Sequence, residues 1–204
     1  MEQTVIESIF DSWDEPIIWS CLQGVMGEIY TNSTEDAAMA ILGDFAFFAG
    51  KPCEDLIQWE QENCKQDFII MVPQNDEWAK LIEIYYGEKA KKVTRYAIKK
   101  ESDIFDIEKL EQVTLSLPEG YELKLLEEAE YHICRKNEWS KDLVSQYKDY
   151  DMYKELGLGV VAMNDGEIVA GASSYSRYEK GIEIEIDTRE DHRRKGLAYA
   201  CGAK

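Results

Sequence analysis

The segment that most constrains this chain runs from Gly181 to Cys201. Residues 181–188 alternate in character. Ile182, Ile184 and Ile186 point to one face and Glu183, Glu185 and Asp187 to the other, which is the period of a strand. A turn follows that carries Arg189, Arg193, Arg194 and Lys195, and Gly196-Leu197-Ala198-Tyr199-Ala200-Cys201 reads as the start of a helix. A helix start offers free backbone N–H groups and a partial positive charge. Gly196 removes the side chain that would keep a phosphate away, and the neighbouring cations add charge. The residues alone leave two readings open: a pyrophosphate site, or a solvated basic turn with a glycine at a tight bend.

The rest of the chain makes this basic cluster stand out. Formal net charge is −18 over 204 residues. So acidic a surface repels nucleic-acid phosphates and anionic lipid, so neither nucleic acid nor a membrane is expected as a partner. A compact basic spot in that background suits a small anionic ligand. No apolar run reaches membrane-spanning length, and MEQTVIESIFDSW lacks the pattern of a secretory leader. Five scattered cysteines and two histidines give no paired spacing, so free thiols in a reducing cytoplasm are expected, with no metal site. A GxGxxG or P-loop pattern is absent, which disfavours a nucleotide-binding domain.

Read along its length, the chain alternates helical and extended segments. Residues 16–31 read as two short strands around Gly24, and 37–49 as a buried strand broken near Gly43. Residues 53–63 read as a helix, 67–72 as a buried strand ended by Pro73, and 75–87 as a helix begun at Asn75 and stopped at Gly87. Residues 93–99 alternate like a strand, and 103–115 look like a linking helix. Leu117-Pro118-Glu119-Gly120 marks the expected boundary between a domain at 1–116 and one at 117–204. Beyond it come a strand at 121–126, a helix at 127–136, and a second helix capped by Ser140 that runs through Tyr147 towards Gly157. Strands follow at 158–163 and 167–178, joined by Asn164-Asp165-Gly166. The aromatic residues of the first half, Trp78 and Phe48 among them, are expected in its core. His192 reads as a surface residue, His132 as packing and Cys201 as core.

Arg193-x-x-Gly196-x-Ala198, placed after a strand and opening a helix, resembles the R/Q-x-x-G-x-G/A signature of the GNAT (GCN5-related) N-acetyltransferases. The order strand, two helices, three strands before it is similar to the first part of that fold. The resemblance covers about residues 117–204, with the specific motif in 186–198. Asp187-Thr188-Arg189, together with the Gly43-Asp44-Phe45-Ala46-Phe47-Phe48-Ala49-Gly50 stretch, looks closest to a bacterial branch with an extra N-terminal domain. The fold implied is α/β (α+β): an N-terminal mixed α/β domain followed by the first half of a GNAT acyl-CoA N-acyltransferase fold. The chain stops where the resemblance expects a further strand, helix and closing strands, so the second domain is expected to be incomplete.

The resemblance implies an acetyl-CoA-dependent transfer to a primary amine, on a small molecule or a peptide, by direct attack without an acyl-enzyme. By position, Arg193, Arg194, Lys195, Gly196, Leu197 and Ala198 would hold the CoA pyrophosphate. The backbone of Ile186, Asp187 and Thr188 would pair with pantetheine like an added strand. Glu183 or Glu185 would be the base that deprotonates the acceptor. From the residues alone, these glutamates could equally be solvated carboxylates on a strand face. The alternative for the whole chain is a non-catalytic CoA-binding or protein-interaction module.

Overall fold

The computed structural model describes residues 3–11, 13–63, 68–96, 101 and 103–204. It divides into two compact units, one spanning Met1–Ile98 and Tyr178–Gly181, the other Lys99–Arg177 and Ile182–Lys204. The fold is mixed α/β, with two four-stranded sheets and eight α-helices among the described residues.

The first unit opens with helices α1 (Gln3–Ile9) and α2 (Pro16–Leu22). Strands β1 (Glu28–Thr31), β2 (Ala37–Leu42), β3 (Phe45–Gly50) and β4 (Ile70–Pro73) form a sheet in that order, the first two pairs antiparallel and β3–β4 parallel. Helix α3 (Glu54–Asn63) crosses from β3 to β4, and α4 (Asp76–Tyr86) follows. The expected break near Gly43 is the turn of the β2–β3 hairpin. Asn75 caps α4 by accepting the Trp78 N–H at 3.0 Å, and Gly87 ends it with φ of +52°. Trp78 is fully buried against Phe48, its ring 5.2 Å away, and its indole Nε1 donates to the Gly50 carbonyl at 2.9 Å.

Three sequence expectations change here. Residues 16–22 are a helix and not a strand. Pro16 fits a helix's first position, where its missing N–H costs nothing, and Ile17, Ile18, Cys21 and Leu22 are buried on nearly every side, which hides the helical period. Strand β4 begins only at Ile70 and its residues are half-buried, with Asp67 outside the described residues. Residues 93–96 form no strand and are exposed, and 97–99 lie outside the described residues.

The second unit begins with α5 (Ile107–Leu115), capped by Asp106, whose carboxylate accepts from the Lys109 N–H. Strands β5 (Tyr121–Leu125), β6 (Gly159–Asn164), β7 (Glu167–Tyr178) and β8 (Gly181–Thr188) make the second sheet in that order, with β8 at one end. Helices α6 (Glu128–Lys136) and α7 (Tyr150–Leu156) connect β5 to β6, and α8 (Leu197–Ala203) follows β8. Leu197 and Cys201 of α8 bury against Val160, Ala162 and Ala170. The single helix expected after Ser140 is instead a 3-10 turn at 141–143 and then α7. Ser140 does not cap, because its hydroxyl donates to the Cys134 carbonyl, and Asp149 caps α7 by accepting from the Met152 N–H at 2.9 Å. The break turns Tyr147 into the core, where its hydroxyl donates to the Ser174 carbonyl at 3.0 Å and packs beside the buried Tyr153, itself hydrogen-bonded to Ser173. Buried phenols need such partners.

Between β6 and β7 the register shifts: Ala162 faces Ala170 but Met163 faces Ile168, so Val169 is the extra residue of a bulge. The Val169 carbonyl accepts from the Arg189 N–H at 2.9 Å, which fixes where the chain leaves β8. Among the described residues no helix is long and apolar enough to cross a membrane.

Candidate active site

Strand β8 delivers the basic turn. On it Glu183 and Glu185 are half-buried, whereas Ile184 and Ile186 are exposed. Ile186 reaches towards α8, its Cδ1 3.9 Å from where a Cβ on Gly202 would stand. At the end of β8 the Thr188 N–H donates to the Asp187 carboxylate at 2.6 Å, and the Thr188 carbonyl accepts from Arg193 Nε at 3.1 Å. Arg193 therefore ties the far side of the turn back to the strand.

Arg189 organises the near side. Its guanidinium reaches Glu167 at 2.8 Å, Asp191 at 2.8 and 3.2 Å, and His192 Nε2 at 2.8 Å. These hydrogen bonds hold the Asp191 carboxyl below its ordinary pKa and the Arg189 guanidinium above its own, the Arg189–Asp191 bond being the largest cause of both. His192, expected on the surface, is buried at 8% exposure. A guanidinium only donates, so Nε2 must accept and the proton stands on Nδ1. Nδ1 then donates to the Tyr121 hydroxyl at 2.8 Å, and that oxygen also meets the Lys195 ammonium at 2.8 Å. A relay of neutral groups thus holds the Lys195 charge beside the turn without cancelling it.

The backbone is the most telling part. Arg194 has φ of +63° and Gly196 +79°, so the turn bends twice through the left-handed region. Among the described residues, the N–H groups of Arg194, Lys195, Gly196, Leu197 and Ala198 donate to no carbonyl or side chain. A Cβ built on Gly196 would have no atom within 4 Å. Five successive N–H groups, an open glycine and the cations Arg193, Arg194 and Lys195 make a concavity for an anion. Beside it opens a cleft of about 360 Å³ lined by Lys109, Gln112 and Ser116 of the α5 end and by Lys195, Gly196 and Tyr199.

The GNAT acetyltransferase family model matches residues 7–204. The chain belongs to the GNAT acetyltransferase family. Among solved structures, the GCN5-related N-acetyltransferase-like protein from Streptococcus suis 89/1591 is 44% identical with a TM-score of 0.92, over 98% of this chain and 81% of that one. A GCN5-related N-acetyltransferase from Kribbella flavida is 14% identical with a TM-score of 0.47, over 89% of this chain and 74% of that one. No curated protein matches. GNAT membership makes the chemistry of the family acyl transfer.

The turn is where the sequence places it. Arg193 to Ala198 come together, and Ile186, Asp187 and Thr188 run directly into them. Glu183 and Glu185 stand further back on β8. Cys201 is buried on α8, where burial pushes its thiol up to about 12, so it has the character of core and not of a nucleophile. His132 is exposed, its ring edge-on to Tyr131 at 5.4 Å. The sequence reading missed His192, Tyr121 and the α5 side of the cleft. His192 directly before the basic run is the one signal that could have pointed to a local anchor.

Proposed function

We propose that this protein moves an acetyl group from acetyl-CoA to a primary amine by direct attack. The observation that carries the reading is the row of open N–H groups from Arg194 to Ala198, with Gly196 in the left-handed region at its centre. These donors, with Arg193, Arg194 and Lys195, hold the pyrophosphate. The backbone of Ile186, Asp187 and Thr188 aligns the pantetheine arm along β8, and Thr188 joins in when its N–H exchanges the Asp187 carboxylate for the ligand.

Glu183 or Glu185 removes a proton from the acceptor's ammonium. The freed amine attacks the thioester carbonyl carbon, a C–N bond forms, the C–S bond breaks, and the thiolate leaves to take up a proton. No covalent enzyme intermediate is required, in keeping with the buried, high-pKa thiol of Cys201. The acidic surface favours cationic acceptors such as polyamines, aminoglycosides or lysine side chains. The free thiols of Cys21, Cys53, Cys134 and Cys201 suit a reducing cytoplasm.

The test is thiol release from acetyl-CoA with a panel of amines, repeated for Glu183→Gln and Glu185→Gln. Loss of the base lowers turnover by roughly 10²–10⁴-fold, most at low pH, and leaves CoA affinity unchanged. CoA binding without thiol release for any amine would favour a binding module. Unchanged pH–rate profiles in both variants would remove the glutamates from the mechanism.

A further inference from the structure

Behind the open face of the turn lies a side chain to which the transfer chemistry gives no part. His192 is buried, and groups from three strands or their ends converge on it. Tyr121, the first residue of β5, meets Nδ1 at 2.8 Å and stands edge-on to the imidazole, with ring centres 5.7 Å apart. Arg189, just past β8, meets Nε2 at 2.8 Å and is itself held at 2.8 Å by Glu167 of β7. Lys195 shares the Tyr121 hydroxyl, also at 2.8 Å. Among the described residues Asp191 is the other charged group at the ring, its carboxylate 3.5 Å from Nε2.

These contacts admit one protonation state. Neutral His192 accepts from the guanidinium at Nε2 and donates to the phenol from Nδ1. A second proton would have to sit on Nε2, where it meets an N–H of a like-charged guanidinium. Arg189 must then give way, and another partner for the imidazolium is already in place. The Asp191 carboxyl, held below its ordinary pKa chiefly by its hydrogen bond to Arg189, stays ionised through the range in which imidazoles titrate. The same side chains thus have two arrangements within reach. In the first, which the structure holds, Arg189 bridges Glu167, Asp191 and neutral His192. In the second, Asp191 turns to an imidazolium, and Arg189 keeps Glu167 and its backbone bond to Val169. The second unties His192 from β7. His192 directly precedes Arg193, so the N–H groups from Arg194 onward lose the anchor that sets their direction.

We infer that Tyr121 and His192 are positioning residues for CoA binding, and that the turn holds CoA with His192 neutral and releases it when His192 takes up a proton. The inference rests on the CoA reading of the turn. Its sign is opposite to what charge alone dictates. A bound polyphosphate favours the charged form of any imidazole near it, so a merely adjacent histidine titrates at higher pH in the complex. A histidine that must be neutral to shape the turn titrates at lower pH there, because linked binding is reciprocal.

The chain has two histidines, so NMR of their Cε1–H resonances against pH, in the full chain with and without saturating CoA, reads this directly. His132, which is exposed, is the internal reference. CoA should move the His192 midpoint down by about one pH unit, equivalent to about tenfold in Kd, and leave His132 in place. Calorimetry gives the reciprocal readout. From pH 7.5 to pH 5.5, CoA binding should weaken about tenfold more in wild type than in His192→Gln, which keeps an acceptor for Arg189 and never ionises. Comparing the two proteins cancels any proton taken up by CoA itself. Tyr121→Phe removes the hydroxyl that both His192 and Lys195 use, and should weaken CoA about fivefold at pH 7.5. A His192 midpoint that stays or rises with CoA overturns the inference and spares the turn. Parallel pH dependences in wild type and His192→Gln do the same. If wild type binds no CoA at any pH, the CoA reading falls and this inference falls with it.

Discussion

Gly196 is the position at which the geometry of the turn and the identity of its ligand can be separated by one series of substitutions. Its φ of +79° lies where an L side chain is strained, yet a Cβ there meets no protein atom within 4 Å. The folding cost of a substitution is therefore conformational and not steric. Alanine should lose about 1–2 kcal/mol, and asparagine and aspartate less, because their short polar side chains tolerate the left-handed region. Asparagine and aspartate are equal in shape and differ in charge. If a pyrophosphate sits on the surrounding N–H groups, an added carboxylate stands about 4 Å from it, and a pair of unit charges at that distance near a surface repels by about 4 kcal/mol before salt screening. With screening we take about 2 kcal/mol, or roughly 30-fold in Kd. Gly196→Asp should thus bind CoA about 30-fold more weakly than Gly196→Asn, with similar urea midpoints for the two, and the gap should narrow as salt rises. Equal Kd values for the two variants at low ionic strength would show that no phosphate approaches Gly196.

Three further outcomes are expected. Trp78→Phe removes the indole donor to the Gly50 carbonyl and leaves a void in the first unit's core, so urea unfolding should show a loss of about 2–3 kcal/mol. Burial pushes the thiols of Cys201 and Cys21 up to about 12 and that of Cys134 to about 11, so peptide mapping after alkylation at pH 8 should find these three unmodified in native protein and modified in urea. The Asp191 carboxyl, held low chiefly by its hydrogen bond to Arg189, has a folded pKa below its unfolded one; its stabilisation is complete above the unfolded value and is lost as pH falls through the folded one. Asp191→Asn should therefore narrow its stability difference from wild type between pH 6 and pH 3.

How much of this architecture the sequence displayed depends on whether the signal was local. Helix α4 was legible at both ends because Asn75 and Gly87 are its cap and its stop. The β6–β7 hairpin was legible because Asn164-Asp165-Gly166 demands left-handed backbone, and Asp165 and Gly166 adopt it at φ of +51° and +81°. Helix α2 was not, since a seven-residue apolar segment buried nearly all round has no period to read. The break after Ser140 was not legible either. Lys141–Leu156 has the composition of a helix, and what interrupts it is the burial of Tyr147 against Ser174, a contact made across 27 residues. Propensity gave way there to tertiary packing, as it does wherever a large side chain gains more from the core than the backbone loses at a turn.

The site divides along the same line. The turn was readable because glycine, cations and a strand-to-helix junction are adjacent in sequence, and they stay adjacent in space. What holds the turn in shape comes from elsewhere. Glu167 reaches Arg189 from the start of β7, Val169 accepts its N–H from a bulge, and Tyr121 reaches His192 and Lys195 from the first residue of β5. No composition rule links Tyr121 to a histidine 71 residues later. Only the sheet order β5-β6-β7-β8, which leads the chain from β8 back past β7 and β5, brings the three together. Buried between a guanidinium and a phenol, His192 can keep both hydrogen bonds only in its neutral form with the proton on Nδ1. The shape of the basic turn is thus fixed by the tautomer of one side chain, and that tautomer is fixed by Arg189, itself held from β7 by Glu167. The motif residues contribute charge and open N–H groups. The sheet behind them decides where those groups point.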